Sequence, residues 1–129
     1  MKLGYPNIII ISLIMSVGLL LIPVTFVYGA EWVARHGMTS EQYQNEFDKL
    51  TGQGYRLTDV SGYSIGDQDR YAAIFEKKTG PAWVARHGMT SEQYQNEFDK
   101  LTGQGYRLTD VSGYSVGDQD RYAAIFEKS

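Results

Sequence analysis

Residues 32–77 read WVARHGMTSEQYQNEFDKLTGQGYRLTDVSGYSIGDQDRYAAIFEK, and residues 83–128 repeat this stretch almost unchanged. The offset is 51, and the only difference over the 46 aligned positions is Ile65 in place of Val116. Self-similarity at a fixed period is typical of repeat architectures, in which neighbouring units bury a common core. The connector, residues 78–82, is too short to let the two units move apart as independent domains.

Each copy begins an amphipathic helix shortly after residue 38. Thr39 is a favourable N-cap, and Gln42 can complete a capping box with it. Three apolar side chains then follow at i, i+4 and i+7 on one helical face: Tyr43, Phe47 and Leu50. Gly52 and Gly54 end the helix, and we expect one of them to adopt a positive φ.

The rest of each copy predicts β-strands. Residues 32–35 form a short strand that we expect to break at residues 36–37. Residues 55–63 alternate with an irregularity near Asp59, and residues 70–76 return as the second strand of a hairpin. One β-α-β-β unit of about 50 residues is only marginally stable alone. We therefore expect an α+β fold in which two units share one mostly antiparallel sheet, with both helices on one face.

The N-terminal segment, residues 1–30, has the composition of a targeting sequence. Lys2 precedes a stretch without any charge, residues 8–27, as in a secretory signal peptide. The same 20 residues are enough to span a bilayer, so a retained anchor stays open as the alternative. In both cases repeat 1 (31–78) and repeat 2 (79–129) are expected outside the cytoplasm, secreted or held at the outer face of the cytoplasmic membrane.

Charge and composition exclude several classes of function. The formal net charge is −3, and a mildly acidic chain lacks the basic patch that nucleic acid requires, so we expect no nucleic-acid partner. Cysteine is absent, which excludes disulfides, thiol catalysis and thiolate metal sites. The motifs predict no catalytic centre, no metal site and no cofactor.

Each copy contains one histidine, His36 and His87, next to Arg35 and Arg86. A neutral imidazole can act as a general base or as a ligand. The hydroxyl groups nearest in sequence belong to the helix start, where they serve as capping groups. We therefore expect a turn residue whose ring is bonded to the backbone, and a small hydrolase using His36 is the alternative.

Paired carboxylates occur in the predicted hairpin turn of each copy: Asp67 and Asp69, then Asp118 and Asp120. Calcium needs six to eight oxygen ligands, and the turn supplies two carboxylates with no third acid nearby in sequence. We expect an ordinary turn in which Asp69 pairs with Arg56 or Arg70.

Aromatic side chains are the better functional candidates, because seven in a 46-residue copy exceed the needs of one small core. Tyr63 and Tyr71 flank the turn beside Arg70. Flat apolar faces with polar tips suit peptide or sugar recognition, although cross-strand packing would use them equally well. The candidate ligand-binding set is Arg35, His36, Tyr63, Asp67, Asp69, Arg70 and Tyr71, with the counterparts Arg86, His87, Tyr114, Asp118, Asp120, Arg121 and Tyr122.

Four motifs carry a family resemblance: WVARHGMT, QGYRL, VSGY and RYAAIFE. The chain resembles the bacterial tandem repeats found N-terminal to the β-lactamase-like serine hydrolase module of polyglycine hydrolases, over about three-quarters of its length. The resemblance implies repeats of helix and antiparallel strand that assemble side by side into a curved, half-barrel-like sheet. Activity in those proteins resides in the hydrolase module, and no Ser-x-x-Lys occurs here to carry its nucleophile and base.

The leading hypothesis is a non-catalytic binding module outside the cytoplasm with two equivalent sites. Two linked sites favour a repetitive ligand through effective concentration, such as a cell-wall polymer or a repetitive extracellular protein. One alternative is a self-associating structural envelope protein, a homo-oligomer formed through sheet edges. Another is an accessory protein to a separate secreted serine hydrolase.

Overall fold

The computed structural model describes residues 31–129, and both repeats have the β-α-β-β order predicted from the sequence. Repeat 1 contains β1 (Trp32–Met38), α1 (Ser40–Thr51), β2 (Tyr55–Ile65) and β3 (Gln68–Lys77). Repeat 2 contains β4 (Trp83–Met89), α2 (Ser91–Gly103), β5 (Tyr106–Val116) and β6 (Gln119–Lys128). The expected signal peptide or anchor, residues 1–30, lies outside the described residues. Within residues 31–129 no helix is long and apolar enough to cross a membrane.

Both helices start and end as the sequence predicts. Thr39 caps α1 in a reciprocal capping box. The N–H of Gln42 donates to the Thr39 hydroxyl, and the N–H of Thr39 donates to Gln42 Oε1. The same box opens α2. After α1 the chain turns at Gly54, whose φ of 89° is in the left-handed region that favours glycine.

In each sheet the last strand of the repeat lies in the centre, in the orders β1-β3-β2 and β4-β6-β5, with antiparallel pairing. The irregularity predicted near Asp59 is confirmed, since the register between β2 and β3 shifts there. The predicted end of the first strand at residues 36–37 is wrong. Strand β1 continues to Met38, because a register shift and Gly37, at φ 67°, absorb the kink within the strand.

The expectation of one shared sheet is also wrong, because backbone hydrogen bonds define two separate three-stranded sheets. Strand β2 runs beside β5, but its amides donate to side chains instead of a backbone ladder. The N–H of Val60 donates to Asp110 Oδ2 at 2.9 Å, and the N–H of Gly62 donates to Ser112 Oγ at 3.0 Å. Side chains of β5 thus satisfy two amides at the edge of β2, and the two sheets stack instead of extending one another.

Stacking buries a core that both repeats share. We call the face of each sheet without a helix its outer face, and the side that carries the helix its inner side. Repeat 2 lays its outer face over the inner side of repeat 1, so that the ring centroids of Phe47 on α1 and Trp83 on β4 lie 5.6 Å apart. The outer face of repeat 2 contributes three buried side chains to this core: Tyr114, Ala123 and Ile125. A smaller second core lies between α2 and its own sheet.

Candidate functional site

His87 lies at the junction between the repeats. Its Nε2 is 3.0 Å from Ser40 Oγ, and its ring meets the rings of Tyr43 and Tyr71 edge to face. Burial lowers the pKa of His87, although the negative charge of Asp69 opposes this shift, so the neutral imidazole is favoured. A cleft of about 360 Å³ borders the ring between α1 and β4.

The contact between Ser40 and His87 has the distance of a nucleophile and its base. An activated serine also needs a third group that orients the imidazole and donors for the developing oxyanion. The His87 ring meets the aromatic edges of Tyr43 and Tyr71, and the nearby carboxylate of Asp69 accepts the hydroxyl of Tyr71. The pair therefore joins the start of α1 to β4. Sequence reasoning missed it, because only stacking brings the two repeats into contact.

Tyr71 and Tyr114 form a buried chain of hydrogen bonds across the same junction. Their hydroxyl oxygens are 2.5 Å apart, and Tyr71 also donates to Asp69 Oδ2 at 2.9 Å. The Tyr114 hydroxyl accepts the backbone N–H of Gly88 at 3.1 Å. Burial raises the pKa of both tyrosines, so both hydroxyls stay protonated. These two members of the predicted set are part of the core.

Tyr63, the counterpart of Tyr114, is half-exposed because no other repeat within residues 31–129 is stacked on it. Its hydroxyl accepts the N–H of Gly37 at 3.1 Å. Arg70 lies directly opposite on β3, and its guanidinium donates to the backbone oxygen of Asp69 and to Gln68 Oε1, both at 2.8 Å. The structure thus places Tyr63 and Arg70 side by side, as the sequence suggested.

The predicted pairing of Asp69 with Arg56 or Arg70 is wrong. The Asp69 carboxylate accepts the Tyr71 hydroxyl instead. Arg56 is drawn across the junction, where its Nη2 lies 3.4 Å from Glu127 Oε1. The reason is that the stacked second repeat offers Arg56 a partner that no single repeat contains.

The turn carboxylates lie in different surroundings. Asp67, Asp118 and Asp120 are all exposed, Asp69 is partly buried, and Asp120 accepts the hydroxyl of Tyr122 at 2.9 Å. Arg121 repeats the pattern of its counterpart and donates to the backbone oxygen of Asp120. Across residues 31–129, no group of three or more His, Cys, Asp or Glu side chains is placed to hold a metal ion.

The two copies of the predicted set therefore present different surfaces, although their sequences are identical. Tyr114 is buried while Tyr63 is half-exposed, and His87 is half-buried while His36 is exposed. In each pair the repeat 2 residue is less exposed because repeat 1 packs against it. Two equivalent sites cannot be built from these residues alone.

A polar cleft does occur in both repeats, between the first strand and the helix. It has a volume of about 360 Å³ in repeat 1 and about 400 Å³ in repeat 2. Its shared lining consists of an arginine, a glutamate and two side-chain amides. These are Arg35, Gln42, Asn45 and Glu46 in repeat 1, and Arg86, Gln93, Asn96 and Glu97 in repeat 2.

An ion pair spans each cleft; it is hydrogen-bonded in repeat 1, whereas Glu97 Oε2 in repeat 2 accepts no hydrogen bond. Arg35 Nε lies 2.9 Å from Glu46 Oε2, and Arg86 Nε lies 3.2 Å from Glu97 Oε2. The charged pair and the two amides supply fixed donors and acceptors within one small volume. From the predicted set, Arg35, His36 and Arg86 line these clefts. The sequence did not indicate the glutamate and the two amides, because their spacing is that of a helix face exposed to solvent.

Comparison with known families gives a match over both repeats. A family model described as polyglycine hydrolase-like, structural repeat, matches residues 29–78 and 80–129. The two matches cover more than half of the chain and fall on the units described above, which confirms the resemblance seen in the motifs. The chain therefore belongs to the polyglycine hydrolase-like structural repeat family, of which it contains two tandem copies.

Proposed function

We propose that this protein is a non-catalytic interaction module outside the cytoplasm that binds a repetitive cell-wall polymer through the polar cleft of each repeat. The observation that carries the proposal is the recurrence of one cleft, with the same arginine, glutamate and amides, in both repeats. The charge-free residues 8–27 support the location.

The chemistry of the cleft suits a ligand rich in amides or hydroxyl groups. Arg35 and Glu46 are tied to each other, so they offer their remaining donors and acceptors without the entropy loss of ordering free side chains. Asn45 is exposed at the same cleft and can donate and accept at once. Peptide cross-links and glycan strands of a cell wall present such groups at regular intervals.

Two linked clefts bind a repetitive ligand more tightly than one. The second binding event becomes intramolecular, and avidity can exceed the affinity of a single site by roughly 10²–10⁴-fold when the geometry permits both contacts. The short connector, residues 78–82, holds the clefts at a fixed spacing, which selects for ligands of matching period.

Binding is tested by co-sedimentation of the full chain with insoluble peptidoglycan, with a soluble oligoglycine peptide as the competing probe suggested by the family's description. Asn45→Lys and Asn96→Lys place a bulky cation in each cleft while leaving the ion pairs intact. Gln53→Lys and Gln104→Lys form the matched control, because they add the same charge at exposed positions outside the clefts.

We expect either single cleft variant to lose at least tenfold in apparent affinity, the double cleft variant to lose sedimentation, and the control pair to bind like the original protein. Equal binding by the double cleft variant and the original protein would refute the proposal. Equal loss in the control pair would also refute it, because binding would then follow charge and not the clefts.

A further inference from the structure

Identical side chains in the two repeats differ sharply in exposure, and the differences fall on two surfaces at opposite ends of the stack. Ile74 on β3 is 38% exposed, whereas its counterpart Ile125 is 2% exposed. Val111 on β5 is 47% exposed, whereas its counterpart Val60 is 3% exposed. The buried member of each pair lies in the junction between repeats. The exposed member therefore belongs to a junction surface that no other part of residues 31–129 covers.

The first of these surfaces, which we call the head face, is the outer face of repeat 1. It carries the counterparts of the side chains that repeat 2 buries in the junction. Its main members are His36, Tyr63, Ile65, Ala72 and Ile74. Ile65, at 62%, is the most exposed large hydrophobic side chain within residues 31–129.

The second surface, which we call the tail face, is the inner side of repeat 2. Its side chains are equivalent to those on the inner side of repeat 1 that contact repeat 2. Its main members are Ser91, Tyr94, Arg107, Val111, Gly113 and Tyr122. The Arg86 side chain beside this face is 44% exposed, compared with 10% for Arg35 in the covered repeat.

The two surfaces are complementary. The head face has the residues that repeat 2 contributes to the existing junction, and the tail face has those that repeat 1 contributes. All three exposed large hydrophobic side chains in the described part of the chain lie on them: Ile65, Ile74 and Val111. Scattered apolar side chains need no explanation, but a set confined to two matching faces indicates an interface. The occupant that fits each face is the other face of a second copy.

We propose that the protein associates head to tail with further copies of itself, the tail face of one chain receiving the head face of the next as repeat 1 receives repeat 2. Such a contact is heterologous and leaves a free face at each end, so it builds open arrays. It joins stacked faces, in contrast to the sheet-edge pairing expected from the sequence. It does not depend on the ligand proposed above.

The existing junction specifies the contacts between chains. Tyr114 lies against Gly62, where an added Cβ would be 2.3 Å from the ring, so Tyr63 of the next chain is assigned to Gly113. Ser40 and His87 meet at 3.0 Å, which assigns Ser91 to His36 of the next chain. Polar groups are matched as well. Arg56 lies near Glu127 and over the ring of Trp83. Arg107 is therefore assigned to Glu76 and Trp32 of the next chain.

The polar clefts remain open in such an array. Repeat 1 already has another repeat stacked on its inner side, and its cleft of about 360 Å³ is still present. Every repeat of the array would therefore display one cleft. Association would multiply the number of clefts without any new binding residue.

Cross-linking tests the proposal on the full chain, which has no cysteine to give a background reaction. Cysteine is introduced by Ser91→Cys and His36→Cys, separately and together, and treated with a short bis-maleimide. The doubly substituted chain is expected to give a ladder of dimers, trimers and larger species. A mixture of the two single variants is expected to stop at the dimer, and each single variant alone is expected to stay monomeric.

Two further substitutions, added separately to the doubly substituted chain, test the faces themselves. Gly113→Val fills the tail face, and Ile74→Glu places a charge on the head face. Neither residue takes part in the junction within the chain, so circular dichroism should be unchanged while the ladder falls at least tenfold. Absence of a ladder, a ladder that survives either substitution, or dimers of one single variant alone would each overturn the head-to-tail arrangement.

Discussion

Gly62 is the residue at which the smallest chemical change should do the greatest damage to the fold. A Cβ at this position would lie 2.3 Å from two ring carbons of Tyr114. The ring cannot move aside freely, because its hydroxyl is bonded to Tyr71 and to the N–H of Gly88. The backbone of β2 is also fixed, since the N–H of Gly62 donates to Ser112. Gly62→Ala must therefore separate the repeats locally.

The size of the effect follows from these contacts. Overpacking a filled interior typically costs about 1–3 kcal/mol, and losing one or two of the junction hydrogen bonds adds about 0.5–1.5 kcal/mol each. We expect Gly62→Ala to lower the free energy of unfolding by about 3 kcal/mol. Gly113→Ala is the matched control, because the same change in the exposed counterpart meets only the edge of Tyr122 at 3.2 Å. It should cost less than about 1 kcal/mol.

Urea unfolding of the full chain in a mild detergent, followed by tryptophan fluorescence, measures both values. Trp83 reports on the junction directly, because it packs against Phe47 and under Arg56. The protein concentration should be low enough to keep chains apart, so that only the junction within the chain contributes. If Gly62→Ala and Gly113→Ala differ by less than about 0.5 kcal/mol, the close stacking of the repeats described here is incorrect.

Three further predictions concern titration and hydrogen bonding at the junction. Burial and the nearby carboxylate of Asp110 raise the pKa of Asp59, so stability should fall as the pH rises through the folded-state pKa. Asp59→Asn should remove this fall. At pH 7 it should raise the free energy of unfolding by about 0.2–1 kcal/mol, which a higher melting temperature would show. Burial lowers the pKa of His87, so stability should drop as the pH falls below about 6.5. His87→Gln should abolish that drop in a pH series of thermal melts, and His36→Gln should not. Tyr114→Phe should cost about 0.5–1.5 kcal/mol in urea unfolding, because it removes the bonds of the Tyr114 hydroxyl to Tyr71 and Gly88 while Tyr71 keeps its bond to Asp69.

Local structure was predictable because its causes lie within one repeat. Thr39 and Gln42 form the capping box that their spacing predicts, and the bulge near Asp59 occurs where the alternation fails. The end of β1 was misjudged because Gly37 usually interrupts a strand, whereas here it accommodates a bulge inside one. These errors concern boundaries and leave the order of elements intact.

The relation between the repeats was not predictable from either copy. Asp110 and Ser112 replace a backbone ladder between neighbouring strands, and no pattern in a single repeat indicates that role. Arg56 finds Glu127 only after stacking. The cleft within each repeat was not predictable for a different reason, because Asn45 and Glu46 follow the spacing of a solvated helix face.

The near-identity of the repeats means that each amino acid serves two environments at once. Tyrosine suits both environments, because its ring fills the core at position 114 and its hydroxyl can contact water at position 63. A gene that duplicates one 51-residue segment would therefore yield a longer protein whose new unit already fits both neighbours. Copy number in this architecture can grow or shrink by recombination, with no compensating substitution required at any interface.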